Sequence, residues 1–423
     1  MAQLNDDCFA FGNALKPATE ALSHIETTVK PITEIEYVPL SMATARVLAK
    51  PVISEINVPP HDNAAVDGYA VYFEDLNPSK ETRLKLSGES SAGHPYYDTM
   101  NHGTTIQVFT GAALIQNEQG EVADTIFMQE DCRLEGDEVI FPPGINRGAN
   151  KRKTGEDIKV GDKILSPGVR LRPQDIGIAA AAGLTKLPVF KKLRVAIFST
   201  GDEIYDPGKI LPKGAIYDSN RYTIYHLLEN LGCIPTDLGI IKDNEEVLRD
   251  AFHSAIQTND VILTSGGMST GREDHVKSVV EALGKIHFWR LAIRPGRPIA
   301  IGQISQVPFI GLPGNPVAVL VTFLLFARPL LLRLGGCNET KPNKYPVKVS
   351  FDYKKKKGRR EWMRVKLAIN SSNELNLVKY RRDGAGILSS TVFADGLMEI
   401  EEGITDLKVG DLASFIPFNE ILR

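Results

Sequence analysis

At 423 residues the chain exceeds one compact domain, and a prior of roughly 150 residues per domain suggests about three. Hydrophobic residues make up 43% and charged residues 24%, which is globular rather than disordered composition. With 49 basic against 52 acidic residues the net charge is −3, so no global attraction to nucleic acid or an anionic membrane exists and anion binding must come from local groups.

The four cysteines, Cys8, Cys132, Cys233 and Cys337, are widely spaced and form no C-x-x-C pair. They read as reduced, small apolar residues of a cytoplasmic protein rather than zinc ligands or disulfide halves. The first 15 residues carry early acids and no apolar run, so no signal peptide is expected.

Residues 17–50 have helical spacing followed by the extended segment EIEYVPLSMA. Residues 52–150 change character: short β-like runs (IQVFT, TIFMQE, EVIFPPG) alternate with Gly, Pro, Asn and Asp, as in a small all-β module. KRKTGEDIKVGDKILSPG (151–168) reads as two short strands with tight turns, and RPQDIGIAAAAGL as an Ala-rich helix ending near Gly183. RVAIFST (194–200) is a continuous apolar run, as a strand buried on both faces should be. A helix follows, with Ser219 expected as its N-cap and Gly232 as its stop.

Strand IPTDLGII precedes helix NEEVLRDAFHSAI, whose spacing puts Val247, Leu248, Ala251, Phe252, Ala255 and Ile256 on one face. DVILTSGG (260–267) is the next buried strand and EDHVKSVVEALG the next helix. This alternation predicts a three-layer α/β domain with parallel strands and right-handed crossovers. The apolar stretch 316–334 is long enough to cross a membrane, but Arg328, Pro329 and Arg333 interrupt it, and a buried core helix is expected. Beyond about residue 341 short strands return (YPVKVSF, EWMRVKLAI, ELNLVKY, DLASFIPF) as a second β module.

In such a domain ligands sit beyond the carboxyl ends of the strands. Three segments fall there: FSTGDE (198–203), TSGGMSTGRED (264–274) and LPGNP (312–316). Gly266, Gly267 and Gly271 would let backbone approach a ligand, while Ser265, Ser269 and Thr270 add hydroxyls, making an anion cradle. Alone, Gly-Gly makes only a tight turn, and Pro313, Gly314 and Asn315 only cap a helix that starts at Pro316. Their coincidence with Arg290, Arg294 and Arg297 in FWRLAIRPGRP points to a phosphorylated or oxyanionic ligand. Glu203, Asp243 and Asp274 each follow a predicted strand, so all three are expected in one crevice, where carboxylates near phosphate suit Mg²⁺.

In order, DNAAVDGYAV, FTGA, MQED, KRKTGED, FSTGDEI, YDSNR, LGIIKDN, SGGMSTGREDHVK, FWRLAIRPGRP and GLPGNP, spanning residues 58–316, resemble the molybdopterin molybdenumtransferase (MoeA) family, relatives of the gephyrin E domain. The resemblance implies an enzyme that inserts molybdenum from molybdate into adenylylated molybdopterin with Mg²⁺-dependent release of AMP. It implies four domains: a discontinuous elongated linker (1–54 with 151–190), a small β domain (55–150), a molybdopterin-binding α/β domain (191–337) and a C-terminal β-barrel (341–423). It also implies a homodimer whose site joins the α/β domain of one subunit to the β domain of the other. A molybdopterin adenylyltransferase and molybdoenzyme maturation factors would be its partners.

Carried over residue by residue, the family's functional positions fall on Asp67, Thr110, Asp157, Glu203, Asp243 and Asp274. Molybdate would be held by Arg290, Arg294 and Arg297, with Arg364 and Ser389 as further matches. The chain departs from the bacterial pattern in having arginine where lysine is expected at 290, 294 and 297, Ala64 where Ser is usual, and His275 where an aromatic is common. Two other functions fit parts of the chain. The α/β domain alone resembles molybdopterin adenylyltransferases, and a non-catalytic scaffold would resemble the gephyrin E domain's clustering role.

Overall fold

A computed structural model describes residues 15–267 and 275–422. Its centre is a six-stranded sheet in the order Ile234–Ile241, Arg194–Thr200, Val261–Ser265, Val307–Leu312, Pro298–Ile304, Gly284–Arg290. Both faces of its inner strands are buried, and their alternate apolar side chains enter two separate cores. Val195, Ile197, Leu263 and Ile310 face the helices Ala18–Thr28, Asn220–Leu231 and Pro316–Leu334. Ala196, Phe198, Ile262 and Phe309 face Glu245–Thr258 and His275–Leu283.

The sheet is not wholly parallel. Pro298–Ile304 runs antiparallel to both neighbours. The cause is connection length: Ser305 (φ 52°) and Gln306 alone join it to Val307–Leu312, and two residues permit only a hairpin. Two local expectations also change. Ser219 occupies the N-cap position without a side-chain bond, and Asp218 Oδ1 instead accepts the N–H groups of Asn220 and Arg221 at 3.1 Å. Helix Glu245–Thr258, capped by Asn244, is rotated so that Leu248, Phe252 and Ala255 carry the buried stripe while Val247 is exposed.

The apolar helical stretch Pro316–Leu334 is a core element, with Val317, Phe323, Phe326, Leu330 and Leu334 all buried. A π-helical turn at Phe323–Ala327 precedes Pro329, whose missing N–H and ring would otherwise interrupt the ladder. Phe326 meets Trp362 of the C-terminal module edge to face, with centroids 5.9 Å apart at 84°. Phe326→Ala should therefore lower unfolding free energy by about 3–5 kcal/mol in chemical denaturation. A change under 1 kcal/mol would mean that this contact does not hold the two modules together.

The C-terminal module is a closed barrel of strands Arg360–Ile369, Leu375–Lys379, Tyr345–Val349, Leu412–Pro417 and Gly396–Ile400, with the last pairing back to the first. Ile293–Arg294 pairs in parallel with Arg360–Glu361, which sews the α/β domain to the barrel. Residues 68–141 form a second six-stranded sheet, Thr125–Met128, Gly68–Val71, Thr104–Val108, Thr82–Ser90, Glu138–Phe141, Arg133–Glu135. Segments distant in sequence meet in the remaining body: Ile35–Pro39 pairs with Lys186–Phe190, and Val52–Ile53 with Lys163–Leu165. Helix Ala18–Thr28 packs Ala21 and Ile25 against the α/β core. Cys132, Cys233 and Cys337 are free thiols, and Cys8 lies outside the described residues.

Candidate active site

Parallel strands that all end on one side leave a crevice above their carboxyl ends, and here it is a cavity of about 650 Å³. Its floor is Ser199, Thr200, Ser265 and Gly266; Glu203 and Tyr217 form one wall, and Pro313–Pro316 with Ala385 and Gly386 the opposite one. Gly266 makes this floor possible. Its φ is +87°, and a Cβ there would lie 2.3 Å from the Thr200 carbonyl oxygen.

Asn220 joins the strand ends, donating from Nδ2 to Ser265 Oγ at 2.9 Å and to the Gly314 carbonyl at 2.7 Å. The hydroxyls of Ser199 and Thr200 are buried without a hydrogen-bond partner among the described residues. Unsatisfied buried hydroxyls are costly, so a polar ligand in this cavity would relieve them.

A second cavity of about 280 Å³ opens beside the first, with Gly296, Arg297 and Ala385 bordering both. Its lining is dominated by charge: Arg294, Arg297, Arg359 and Arg364 against Glu361 and Asp383. Glu361, only 3% exposed, organises one side. Its Oε1 accepts from Arg359 Nε at 2.6 Å, and its Oε2 from Tyr353 OH at 2.7 Å and Arg294 Nη1 at 3.4 Å. Burial, with Glu361 beside it, pushes the Tyr353 phenol up to about 12, so it serves as a neutral donor. Across the cavity Arg364 donates to Ser390 Oγ at 3.0 Å and to the Gly384 carbonyl at 3.1 Å. Burial lowers its pKa from the ordinary arginine value, but a guanidinium keeps its proton in proteins. Four cations around a small polar space suit a compact dianion.

The structure separates the residues that sequence reasoning groups together. Glu203, Ser265, Gly266, Pro313, Gly314 and Asn315 border the larger cavity, and Arg294 and Arg297 the smaller. Gly267 follows at φ +65°, where a Cβ would lie 2.4 Å from Val276. Arg290 is not with them: it ends the outermost strand, exposed, and lines neither cavity. Asp243 follows the opposite edge strand and also lines neither, because edge strands end beside the crevice rather than over it. Ser269, Thr270, Gly271 and Asp274 lie outside the described residues.

Asp67 and Thr110 do meet, since Asp67 Oδ1 accepts the Thr110 N–H at 2.7 Å and its hydroxyl at 2.8 Å. These two bonds hold the Asp67 carboxyl below the usual carboxylate range. Asp157 is exposed in a neighbouring loop, which Asp62 fastens by accepting from Thr154 at 2.7 Å and pairing with Lys151 at 2.7 Å. Burial works against the Asp62 charge, yet those partners outweigh it and hold the carboxyl at about 2. Asp67, Thr110 and Asp157 line neither cavity within one chain. Ser389 is exposed against Tyr380 OH at 3.2 Å, one residue from the partner of Arg364.

Sequence reasoning misses the barrel's contribution of Tyr353, Arg359 and Glu361. It also misses Asn220, although its segment YDSNR is conspicuous between strand and helix. Among the described residues no group of three or more His, Cys, Asp or Glu is placed to hold a metal ion.

Three family models match the chain in order: the MoeA N-terminal region (domain I and II) over residues 16–183, a "Probable molybdopterin binding domain" over 196–333, and the MoeA C-terminal region (domain IV) over 346–418. A molybdopterin molybdenumtransferase of Haemophilus influenzae is 36% identical over 392 residues, which is 92% of this chain and 95% of that one. One from a Nostoc species is 36% identical over 72% of this chain and 70% of its own. The solved structure of the molybdopterin biosynthesis moeA protein of Pyrococcus horikoshii OT3 superposes with a TM-score of 0.83 at 28% identity, covering 96% of this chain and all (100%) of that one. Fold, domain order and relatives agree: the chain belongs to the molybdopterin molybdenumtransferase family.

Proposed function

We propose that this protein inserts molybdenum from molybdate into adenylylated molybdopterin, releasing AMP, as a step of molybdenum cofactor biosynthesis. The observation that carries the reading is the pair of adjoining cavities, one of nucleotide size over the strand ends and one small and ringed by arginines. The phosphates of the substrate would lie on Gly266 and the neighbouring amides and take up the free Ser199 and Thr200 hydroxyls. Arg294, Arg297 and Arg364 would hold molybdate next door. Their forked donors suit a tetrahedral oxyanion as well as lysine does, by hydrogen bonding rather than point charge alone. Arg297, bordering both spaces, would keep the two ligands in register.

Mg²⁺ belongs to this reading, but the described residues do not gather its ligands. Of Glu203, Asp243 and Asp274 only Glu203 borders the cavity in the described part, so no step is assigned to the metal. Asp67, Thr110 and Asp157 would enter from a second copy of the chain in a homodimer, working in the cytoplasm. The two β modules disfavour a simple adenylyltransferase, which would need only the α/β domain.

The test is incubation with adenylylated molybdopterin, Mg²⁺ and molybdate. AMP release that depends on molybdate supports the reading, and consumption of ATP with free molybdopterin would replace it. Asp67→Asn keeps an oxygen for Thr110 and so should fold, with a melting temperature within about 2 °C of wild type. It should nonetheless lose about 100-fold or more in turnover if the charge serves the reaction. Full activity in that variant would remove Asp67 from the site.

A further inference from the structure

Residues Gly201–Asp218 turn back over the strand ends as a flap, its two arms joined by pairing of Ile204–Tyr205 with Ile216–Tyr217. The flap supplies Glu203, Ile204, Ile216 and Tyr217 to the larger cavity. Its apolar support is thin: Ile210 is 94% exposed, and Ile216 and Tyr217 are also open to solvent. Something polar must therefore hold it.

That group is Arg221, 6% exposed in the first turn of helix Asn220–Leu231. Its Nε donates to Asp218 Oδ2 at 3.1 Å, and its two terminal nitrogens donate to Asp206 and Asp237. Asp206 follows the first arm of the flap, Asp218 ends the second, and Asp237 sits in the edge strand Ile234–Ile241. One guanidinium thus ties both arms to the sheet. The same Asp218 caps the helix start and so sets Asn220, which holds Ser265 and Gly314. Lys209 also reaches Asp206 at 3.4 Å, but from an exposed side chain that contributes little. Without Arg221 three carboxylates would face one another without a buried cation, and the arms would part.

We propose that Arg221 is a positioning residue that holds the Gly201–Asp218 flap shut as a wall of the larger cavity, and so sets affinity for the ligand bound there. The identity of that ligand as adenylylated molybdopterin rests on the function proposed above; the flap's closure does not.

Trypsin reads closure directly, because Lys209 and Lys213 lie exposed within the flap. Arg221→Lys can satisfy only one or two of the carboxylates, and Asp206→Asn weakens one arm from a partly exposed position that does not threaten folding. Both variants should be nicked in the flap about 10-fold faster than wild type. Both should raise KM for adenylylated molybdopterin about 5–10-fold while kcat and KM for molybdate stay within about twofold. Wild-type nicking in both variants overturns the proposal, as does faster nicking with unchanged KM. If Arg221→Lys fails to fold, Asp206→Asn decides by the same two readouts. A wild-type protein that releases no AMP would sink the functional reading, and the nicking rates would still decide whether Arg221 closes the flap.

Discussion

Arg364→Ala is expected to lower kcat/KM for molybdate by about 100-fold, or ~2.7 kcal/mol, while leaving binding of adenylylated molybdopterin unchanged. The size follows from burial. Arg364 is 8% exposed and already anchored by Ser390 and Gly384, so its guanidinium is aimed before any anion arrives. Arg294 cannot substitute, because Tyr353 and Glu361 hold it on the other side of the cavity. Arg364→Lys keeps the charge but loses the fork, and should fall between the two, near a 10-fold loss. Steady-state kinetics with molybdate varied will check this, and equal effects on both substrates would contradict the division of labour between the cavities.

Gly266→Ala is expected to destabilise the protein by about 2–4 kcal/mol and to abolish ligand binding in the larger cavity. Two costs add: a side chain at φ +87° is strained, and its Cβ would be driven into the Thr200 carbonyl at 2.3 Å. Because that neighbour is backbone, relief requires the ends of Arg194–Thr200 and Val261–Ser265 to separate, which dismantles the cavity floor. Gly314→Ala is the control, with no atom within 4 Å of its Cβ, and should change stability by less than about 0.5 kcal/mol. Chemical denaturation and equilibrium binding compare the two; a well-folded, ligand-competent Gly266→Ala variant would mean the floor is not built as described.

The α/β architecture was legible because Val195–Phe198 and Val261–Leu263 are uninterrupted apolar runs, as strands buried on both faces require. The meeting of loops at three strand ends was legible for a related reason, since segments that follow neighbouring buried strands converge on one cavity whatever the details of the helices. Arg290 shows where that reasoning stops. Four residues from Arg294, it lies across a reversal of chain direction, and spacing cannot tell that its strand forms the sheet's outer edge. Asp67 and Thr110 are joined at a separation of 43 residues, and no local pattern announces such a bond. The barrel's share is hidden differently. Alternation along Arg360–Ile369 says which side chains face inward, but not that its first residues pair with Ile293–Arg294 and so deliver Glu361 and Arg364 to a cavity of another domain.

On the proposed function, molybdate and the nucleotide-bearing substrate occupy separate, adjoining cavities that meet at Arg297. Crystals soaked in molybdate or tungstate test it most directly, since the metal's anomalous scattering locates the anion without assumptions about chemistry. One dominant peak is expected among Arg294, Arg297 and Arg364, lost in Arg364→Ala. A dominant peak over Gly266 at the strand ends, with the arginine cavity empty, would contradict it.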